Sequence, residues 1–138
     1  SFIASILKGE RKTEIEKKSE LFFQEFYPEL FRENALEFIK NIDRENTECY
    51  IVSASLDIWV APFAKEFQMK LLSTQAEFKN DKFTGNFIGK NCNGVEKVNR
   101  IKEAIDGKKF DKIIAFGDTS GDREMLAWAN ESHFEFFH

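Results

Sequence analysis

Residues 112–122, KIIAFGDTSGD, predict a buried β-strand that ends in two carboxylates. The apolar residues 113–116 are typical of a strand covered on both faces, and Gly117 lets the backbone turn at its end. Asp118 therefore emerges at the carboxyl edge of the sheet, where open α/β folds bind ligands. Asp122 follows one turn later, near a helix N-terminus. Two neighbouring carboxylates repel each other unless a cation lies beside them, and Mg²⁺ prefers such hard oxygen ligands. The alternative is a turn residue followed by a helix cap.

Strand-like and helix-like segments alternate from residue 48 onward, which predicts an α/β fold with a mostly parallel sheet. The strand-like segments are 49–55, two runs within 69–89 joined at Asn80-Asp81, 111–118 and 133–137; the helix-like ones are 56–67, 94–105 and 122–130. Residues 1–45 read as helical, with a solvated charged stretch at 11–20 and an interruption at Pro28.

Composition narrows the class of protein. The 138 residues suffice for one compact domain, and 42% hydrophobic with 32% charged residues is ordinary for a globular chain. The net charge of −4 and the absence of a basic stripe argue against nucleic acid as a partner. No apolar run is long enough for a membrane span, and no signal peptide is visible, so we expect a cytoplasmic protein with Cys49 and Cys92 reduced. The sixteen phenylalanines predict an aromatic core or cap, or a surface that meets a partner.

Three segments in order resemble motifs of the haloacid dehalogenase superfamily of phosphohydrolases. GDTSGDREML, residues 117–126, resembles the fourth motif; IVSAS, residues 51–55, is similar to the second; and GVEKVNRIKEAI, residues 94–105, is similar to the third. The hairpin segment 78–97 resembles the phosphoserine-phosphatase-like branch. The resemblance covers residues 33–138 and implies a Rossmannoid three-layer α/β sandwich with a mostly parallel sheet, carrying an N-terminal helical cap remnant at residues 1–32.

The resemblance also implies a phosphate-binding turn after the first strand. The hydroxyl of Ser53 and the backbone N–H of Ala54 would bind phosphate oxygens. Ser55 is a competing candidate two residues on. From the residues alone, the commoner role of a lone serine is to satisfy a local turn.

The other implied roles fall on one lysine and the two carboxylates. Lys97 would place its charge against the phosphate, Asp118 would be a direct Mg²⁺ ligand, and Asp122 would be either a further ligand or the partner that orients Lys97. Without the resemblance, Lys97 would be taken for a solvated helix lysine. The implied activity is Mg²⁺-dependent hydrolysis of a small phosphorylated metabolite through an aspartyl-phosphate.

One element of the family pattern is missing from the chain. The nucleophile and the general acid belong to a DxD motif, but no two of the seven aspartates are separated by a single residue. In the family that strand lies between the strands of Ser53 and Asp118. Because the chain opens at Ser1 rather than Met, we expect the motif upstream of these residues. The alternative is a non-catalytic interaction module derived from the same fold. Gly121 stands where phosphoserine phosphatases carry asparagine, which weakens phosphoserine as the substrate.

Overall fold

The computed structural model of the chain describes residues 2–27, 29 and 33–135, with side chains from residue 5 onward. Helices and strands alternate after the N-terminal helices, as the sequence predicts. The elements are α1 (Phe2–Leu7), α2 (Lys12–Phe26), α3 (Glu33–Lys40), β1 (Tyr50–Leu56), α4 (Asp57–Glu66), β2 (Lys70–Lys79), β3 (Lys82–Ile88), α5 (Val95–Ala104), β4 (Ile114–Gly117), a 3₁₀ turn (Ser120–Asp122), α6 (Arg123–Trp128) and β5 (Glu131–Phe134).

The strands form two sheets. The order β1-β2-β3 makes one sheet, with β1 parallel to β2 and β2 antiparallel to β3, and β4 pairs with β5 in parallel to make the other. Within the described part of the chain, β1 and β4 each have one strand neighbour, so each leaves one edge unpaired. That a strand is missing between the one carrying Ser53 and the one leading to Asp118 stays a prediction, and these two edges are where it would lie.

The fifth strand differs from its prediction at its start. It begins at Glu131 rather than at His133, because residues 131–134 pair with the whole length of β4. Residues 136 and 137 of the predicted strand lie outside the described residues. The prediction that β4 is covered on both faces is also wrong at its first residue, since Ile114 is 44% exposed.

The N-terminal region is less uniformly helical than its sequence predicts. Gly9, with a φ of +87°, ends the first helical segment. The next residues pair with β3: Gly9 N donates to Phe83 O at 2.7 Å, and Phe83 N donates to Glu10 O at 2.8 Å. The charged stretch 11–20 lies mostly in α2 and is not wholly solvated, because Ile15 is fully buried against Phe83 and its neighbours. Pro28, the predicted interruption, lies outside the described residues.

The hairpin β2–β3 turns at Asn80-Asp81, as predicted. Both residues have positive φ, 52° and 65°, the backbone that two-residue hairpin turns require. Asn and Asp adopt this conformation at lower cost than other residues that carry a Cβ. The turn fixes the register of the hairpin, on which the segment leading to α5 depends.

Among the residues that the structure describes, three apolar clusters form the core, and the third matters most for the site. The first joins α1, α2, β1, β2 and β3, and the second packs α2 against α4 with Phe23 edge-on to Phe63 at 5.0 Å. The third brings Val98 of α5 together with Ala115 of β4 and Met125 of α6, with Val52 of β1 packed against them. Helices α5 and α6 thereby connect the two sheets. No helix in the described ranges is long and apolar enough to span a bilayer.

Candidate functional site

The carboxyl end of β1 forms an irregular turn around Ser53. Ser53 is paired with Ser73 of β2 and Leu56 with Thr74, so two extra residues, Ala54 and Ser55, bulge out of the ladder and are exposed. Ser55 N donates to Ser53 Oγ at 3.1 Å. This is the local turn bond that a lone serine commonly makes, but it uses the hydroxyl as an acceptor. The hydroxyl proton therefore remains free to be donated to an anion.

Lys97 lies in the first turn of α5 and is not a surface lysine. Its side chain is only 8% exposed, and Nζ donates to Asp122 Oδ1 at 2.6 Å and to Val52 O at 3.3 Å. The interpretation of Lys97 as a solvated helix residue is therefore wrong, because its ammonium is buried and paired. These two bonds join β1 to the loop after β4 across the unpaired edges. An ammonium has three donors, so one is left for a further ligand.

Asp122 is buried and saturated with donors. Besides Lys97 on Oδ1, its Oδ2 accepts from the backbone N–H of Asp118 at 3.1 Å and from the N–H and Oγ1 of Thr119, both at 3.3 Å. Burial alone would raise the pKa of Asp122, but the Lys97 ammonium and the loop amides outweigh it and hold that pKa below its ordinary value. An ionised carboxylate with both oxygens engaged by protein donors fits the role of orienting Lys97 better than that of a metal ligand.

Gly117 makes this arrangement possible by its lack of a side chain. A Cβ at position 117 would lie 2.6 Å from Asp122 Cβ and 2.9 Å from its Cγ. The φ of Gly117 is not positive, so the sequence prediction that glycine is needed here for a sharp turn misses the reason. Glycine is needed because the buried carboxylate packs directly on its Cα. Sequence alone contains no signal for this contact.

Asp118 differs from Asp122 in every respect that matters for a metal. It is exposed, and no hydrogen bond or ion pair joins its carboxylate to another described residue. Within the described part of the chain, no group of three or more His, Cys, Asp or Glu side chains could hold a metal ion. Mg²⁺ is commonly held by one or two carboxylates with phosphate oxygens and waters completing the shell. Asp118 thus fits one ligand position of such an ion.

Cys92 and Arg100 make polar contacts that sequence inspection did not single out. Cys92 is fully buried, its N–H donates to Thr74 Oγ1 at 2.9 Å, and burial raises the pKa of its thiol. Arg100 donates to Ser73 O at 2.7 Å and to Lys90 O at 2.8 Å. Arg100 lies within the third-motif segment, residues 94–105, but the pattern of that segment does not predict that its side chain binds backbone carbonyls.

His133 packs against the aromatic ring of a residue on the neighbouring strand. Its ring stacks on Phe116 with centroids 4.9 Å apart, and Nε2 lies 2.8 Å from Glu131 Oε2. The contact with His133 is the main cause of a pKa of Glu131 below its ordinary value.

Comparison with known proteins places the chain among phosphatase-like folds. The model of the haloacid dehalogenase-like hydrolases matches residues 1–127. Protein CicA of Caulobacter vibrioides is 36% identical over 137 residues, which are 98% of this chain and 61% of that protein. Thus the chain spans about three fifths of the length of the curated relatives it matches.

Solved structures show the same fold at lower sequence identity. A protein of unknown function from Bordetella pertussis Tohama I superposes with a TM-score of 0.84 at 20% identity, covering 95% of this chain and 61% of that one. A phosphoserine phosphatase, solved as an analogue of its phospho-aspartyl intermediate, superposes with a TM-score of 0.62 at 24% identity, covering 94% of this chain and 60% of that one. Both therefore support the predicted Rossmannoid α/β sandwich.

Proposed function

The chain belongs to the haloacid dehalogenase-like hydrolases, and from this premise we propose that its residues form most of the active site of a Mg²⁺-dependent phosphomonoester hydrolase. The proposed substrate is a small phosphorylated metabolite. The nucleophilic aspartate of the proposed reaction would come from a segment outside these 138 residues. That segment would add a strand between β1 and β4, whose facing edges have no partner in the described part of the chain.

The observation that carries this proposal is the buried pair of Lys97 and Asp122. The 2.6 Å pair joins α5 to the turn after β4, and Lys97 also donates to Val52 O of β1, a strand that does not pair with β4. Exposed Asp118 directly follows β4. A buried ammonium with a donor to spare, an adjacent free carboxylate and a turn with a free hydroxyl together suit a dianionic phosphate and its cation.

The proposed reaction has two displacements at phosphorus. In the first, the bond between phosphorus and the ester oxygen breaks as a bond to the aspartate carboxylate forms, and the alcohol leaves with a proton from the general acid of the missing motif. In the second, water attacks the acyl phosphate, releases inorganic phosphate and regenerates the carboxylate. Lys97 and Ser53 would hold the non-transferring oxygens throughout, and Asp122 would keep Lys97 oriented. Bound at Asp118, Mg²⁺ would neutralise part of the phosphate charge.

The test is turnover of p-nitrophenyl phosphate by the longest natural polypeptide that contains these residues. We expect activity that requires Mg²⁺ and disappears with a chelator. Asp118→Asn should abolish the metal-dependent part, because the amide oxygen is a weaker ligand for a hard cation. Asp111→Asn is the matched control, since Asp111 is an exposed aspartate just before β4. Turnover that persists in Asp118→Asn would contradict the proposed metal ligand.

The alternative, a non-catalytic interaction module, makes the opposite prediction for the same assay. Several large apolar side chains are exposed, among them Phe87 at 43% and Phe134 at 57%, and such residues could meet a partner. No Mg²⁺-dependent turnover in the longest natural polypeptide would favour this alternative over the hydrolase.

A further inference from the structure

Arg100 joins the start of α5 to β2 next to residues 53–55, the proposed phosphate turn. Its Nη1 donates to Ser73 O at 2.7 Å, its Nη2 to Lys90 O at 2.8 Å, and its Nε to Glu96 Oε2 at 2.8 Å. Ser73 is the residue of β2 that lies opposite Ser53 in the ladder. One guanidinium therefore joins α5, the segment that precedes it, and the strand next to the phosphate turn.

The helix it holds is the one that carries Lys97. The N-terminus of α5 has no side-chain cap; instead Gly94 N donates to Gly121 O at 3.0 Å, and Arg100 anchors the chain at Lys90 on the other side. A lysine side chain has four flexible carbons, so its ammonium is placed accurately only if its Cα is fixed. Lys97 and Arg100 are three residues apart and thus on the same helix face.

A second arginine, Arg44, provides a control that distinguishes the positioning of Lys97 from a general effect on stability. Arg44 also donates to two backbone carbonyls, those of Gln68 at 2.7 Å and Phe67 at 2.8 Å. Those carbonyls precede β2, at the end of the sheet opposite the phosphate turn. The two arginines make the same kind of contact, and only Arg100 lies on the helix of Lys97.

We propose that Arg100 is a positioning residue that fixes Lys97 at the phosphate site by bridging Ser73 O and Lys90 O. The consequence for phosphate binding rests on the proposed function, whereas the placement of Lys97 does not. Loss of the bridge should release α5 from β2 and allow the ammonium of Lys97 to leave Asp122.

The first experiment measures the placement directly and needs no enzymatic activity. The longest natural polypeptide containing these residues is acetylated with an amine-directed reagent, and the labelling rate of Lys97 is measured by mass spectrometry against exposed Lys102 on the same helix. Arg100→Gln should speed the labelling of Lys97 at least about tenfold, the effect of losing a charge-assisted hydrogen bond. Arg44→Gln should leave that rate unchanged. Equal labelling of Lys97 in the wild type and Arg100→Gln, or equal acceleration by both variants, would overturn the proposal.

The second experiment uses orthovanadate as a phosphate mimic in the turnover assay. Arg100→Gln should raise the inhibition constant of vanadate at least about tenfold, and Arg44→Gln should not. Arg100→Lys should behave like Arg100→Gln, because an ammonium lacks the planar fork that reaches both carbonyls. If Arg100→Gln does not fold, Arg100→Lys takes its place in both experiments. Rescue by lysine would refute the bridging role. A wild type without turnover would refute the proposed function and leave the labelling result standing.

Discussion

The close approach of Asp122 to Gly117 leads to a prediction about two glycines in one loop. Gly117 and Gly121 both lack a positive φ, so an alanine is compatible with either backbone. They differ in what the added methyl group meets. At position 117 it would meet the Cβ of a buried side chain, and at position 121 the terminal amide oxygen of Asn93, an exposed residue. We therefore expect Gly117→Ala to be destabilising and Gly121→Ala to be tolerated.

The size of the difference follows from the distances. Carbon atoms pack at about 3.5–4.0 Å, so a contact of 2.6 Å requires Asp122 to move by about 1 Å. Overpacking of this kind costs about 1–3 kcal/mol, and the movement also disturbs the ion pair with Lys97. At both positions, replacing glycine by alanine also raises the free energy of unfolding by about 0.4–1 kcal/mol, because it reduces the conformational entropy of the unfolded chain. At position 121 the amide of Asn93 can rotate away, because it is the end of an exposed side chain.

The assay is urea unfolding followed by the fluorescence of Trp59 and Trp128. The free energy of unfolding of Gly117→Ala should fall about 2 kcal/mol below that of Gly121→Ala, with the same dependence on urea. The turnover of Gly117→Ala should fall as well, since Asp122 no longer holds Lys97. Two variants of equal stability and activity would refute the argument that Gly117 exists to admit the buried carboxylate.

Three further predictions concern the same pair and the core. Lys97→Met should lower the free energy of unfolding by about 3–5 kcal/mol, because it leaves Asp122 buried without its counter-ion, whereas Lys102→Met on the exposed face should change it by under about 0.5 kcal/mol in the same urea assay. The pKa of Asp122 is lower in the folded protein than in the unfolded chain. Its contribution to stability is therefore present above the pKa of the unfolded chain and is lost as the pH falls through the pKa of the folded protein. The urea unfolding curves of wild type and Asp122→Asn should converge below about pH 4. Phe83→Ala should lower the free energy of unfolding by about 3–5 kcal/mol, because the side chain of Phe83 is only 2% exposed. Phe87→Ala on the same strand should lower it much less, because Phe87 is 43% exposed. Similar losses of stability would contradict the assignment of the core.

The sequence predicted those parts of the fold that depend on local patterns. The turn at Asn80-Asp81 was predictable because few residues adopt positive φ at low cost, and the hairpin has it there. The ordered motifs predicted the family, and the family model confirms it. The burial of Ile15 was not predictable, because it lies in a charged stretch and depends on a strand almost seventy residues away.

The site residues also fall into those that sequence motifs predicted and those that they did not. Motif residues such as Ser53 and Asp118 could be named from sequence, and their roles in binding remain predictions. The sequence left two roles open for Asp122, and only the structure shows that both its oxygens accept hydrogen bonds from protein donors. Arg100 lies in the third-motif segment, but nothing in that segment predicted its contacts. An arginine that binds backbone carbonyls contacts groups that every residue has, so no partner motif marks it.

The energetics of the pair of Lys97 and Asp122 bear on why the chain keeps it. Withdrawing two charges from water is expensive, and a buried ion pair is often no more stabilising than apolar side chains of the same volume. This chain has sixteen phenylalanines with which to fill its interior, and the pair lies between apolar neighbours of α5 and α6. Folding alone therefore gives little reason to retain an ammonium there. The remaining donor of Lys97 gives a reason that fits the geometry, because a buried ammonium would attract the proposed phosphate far more strongly than one at the surface.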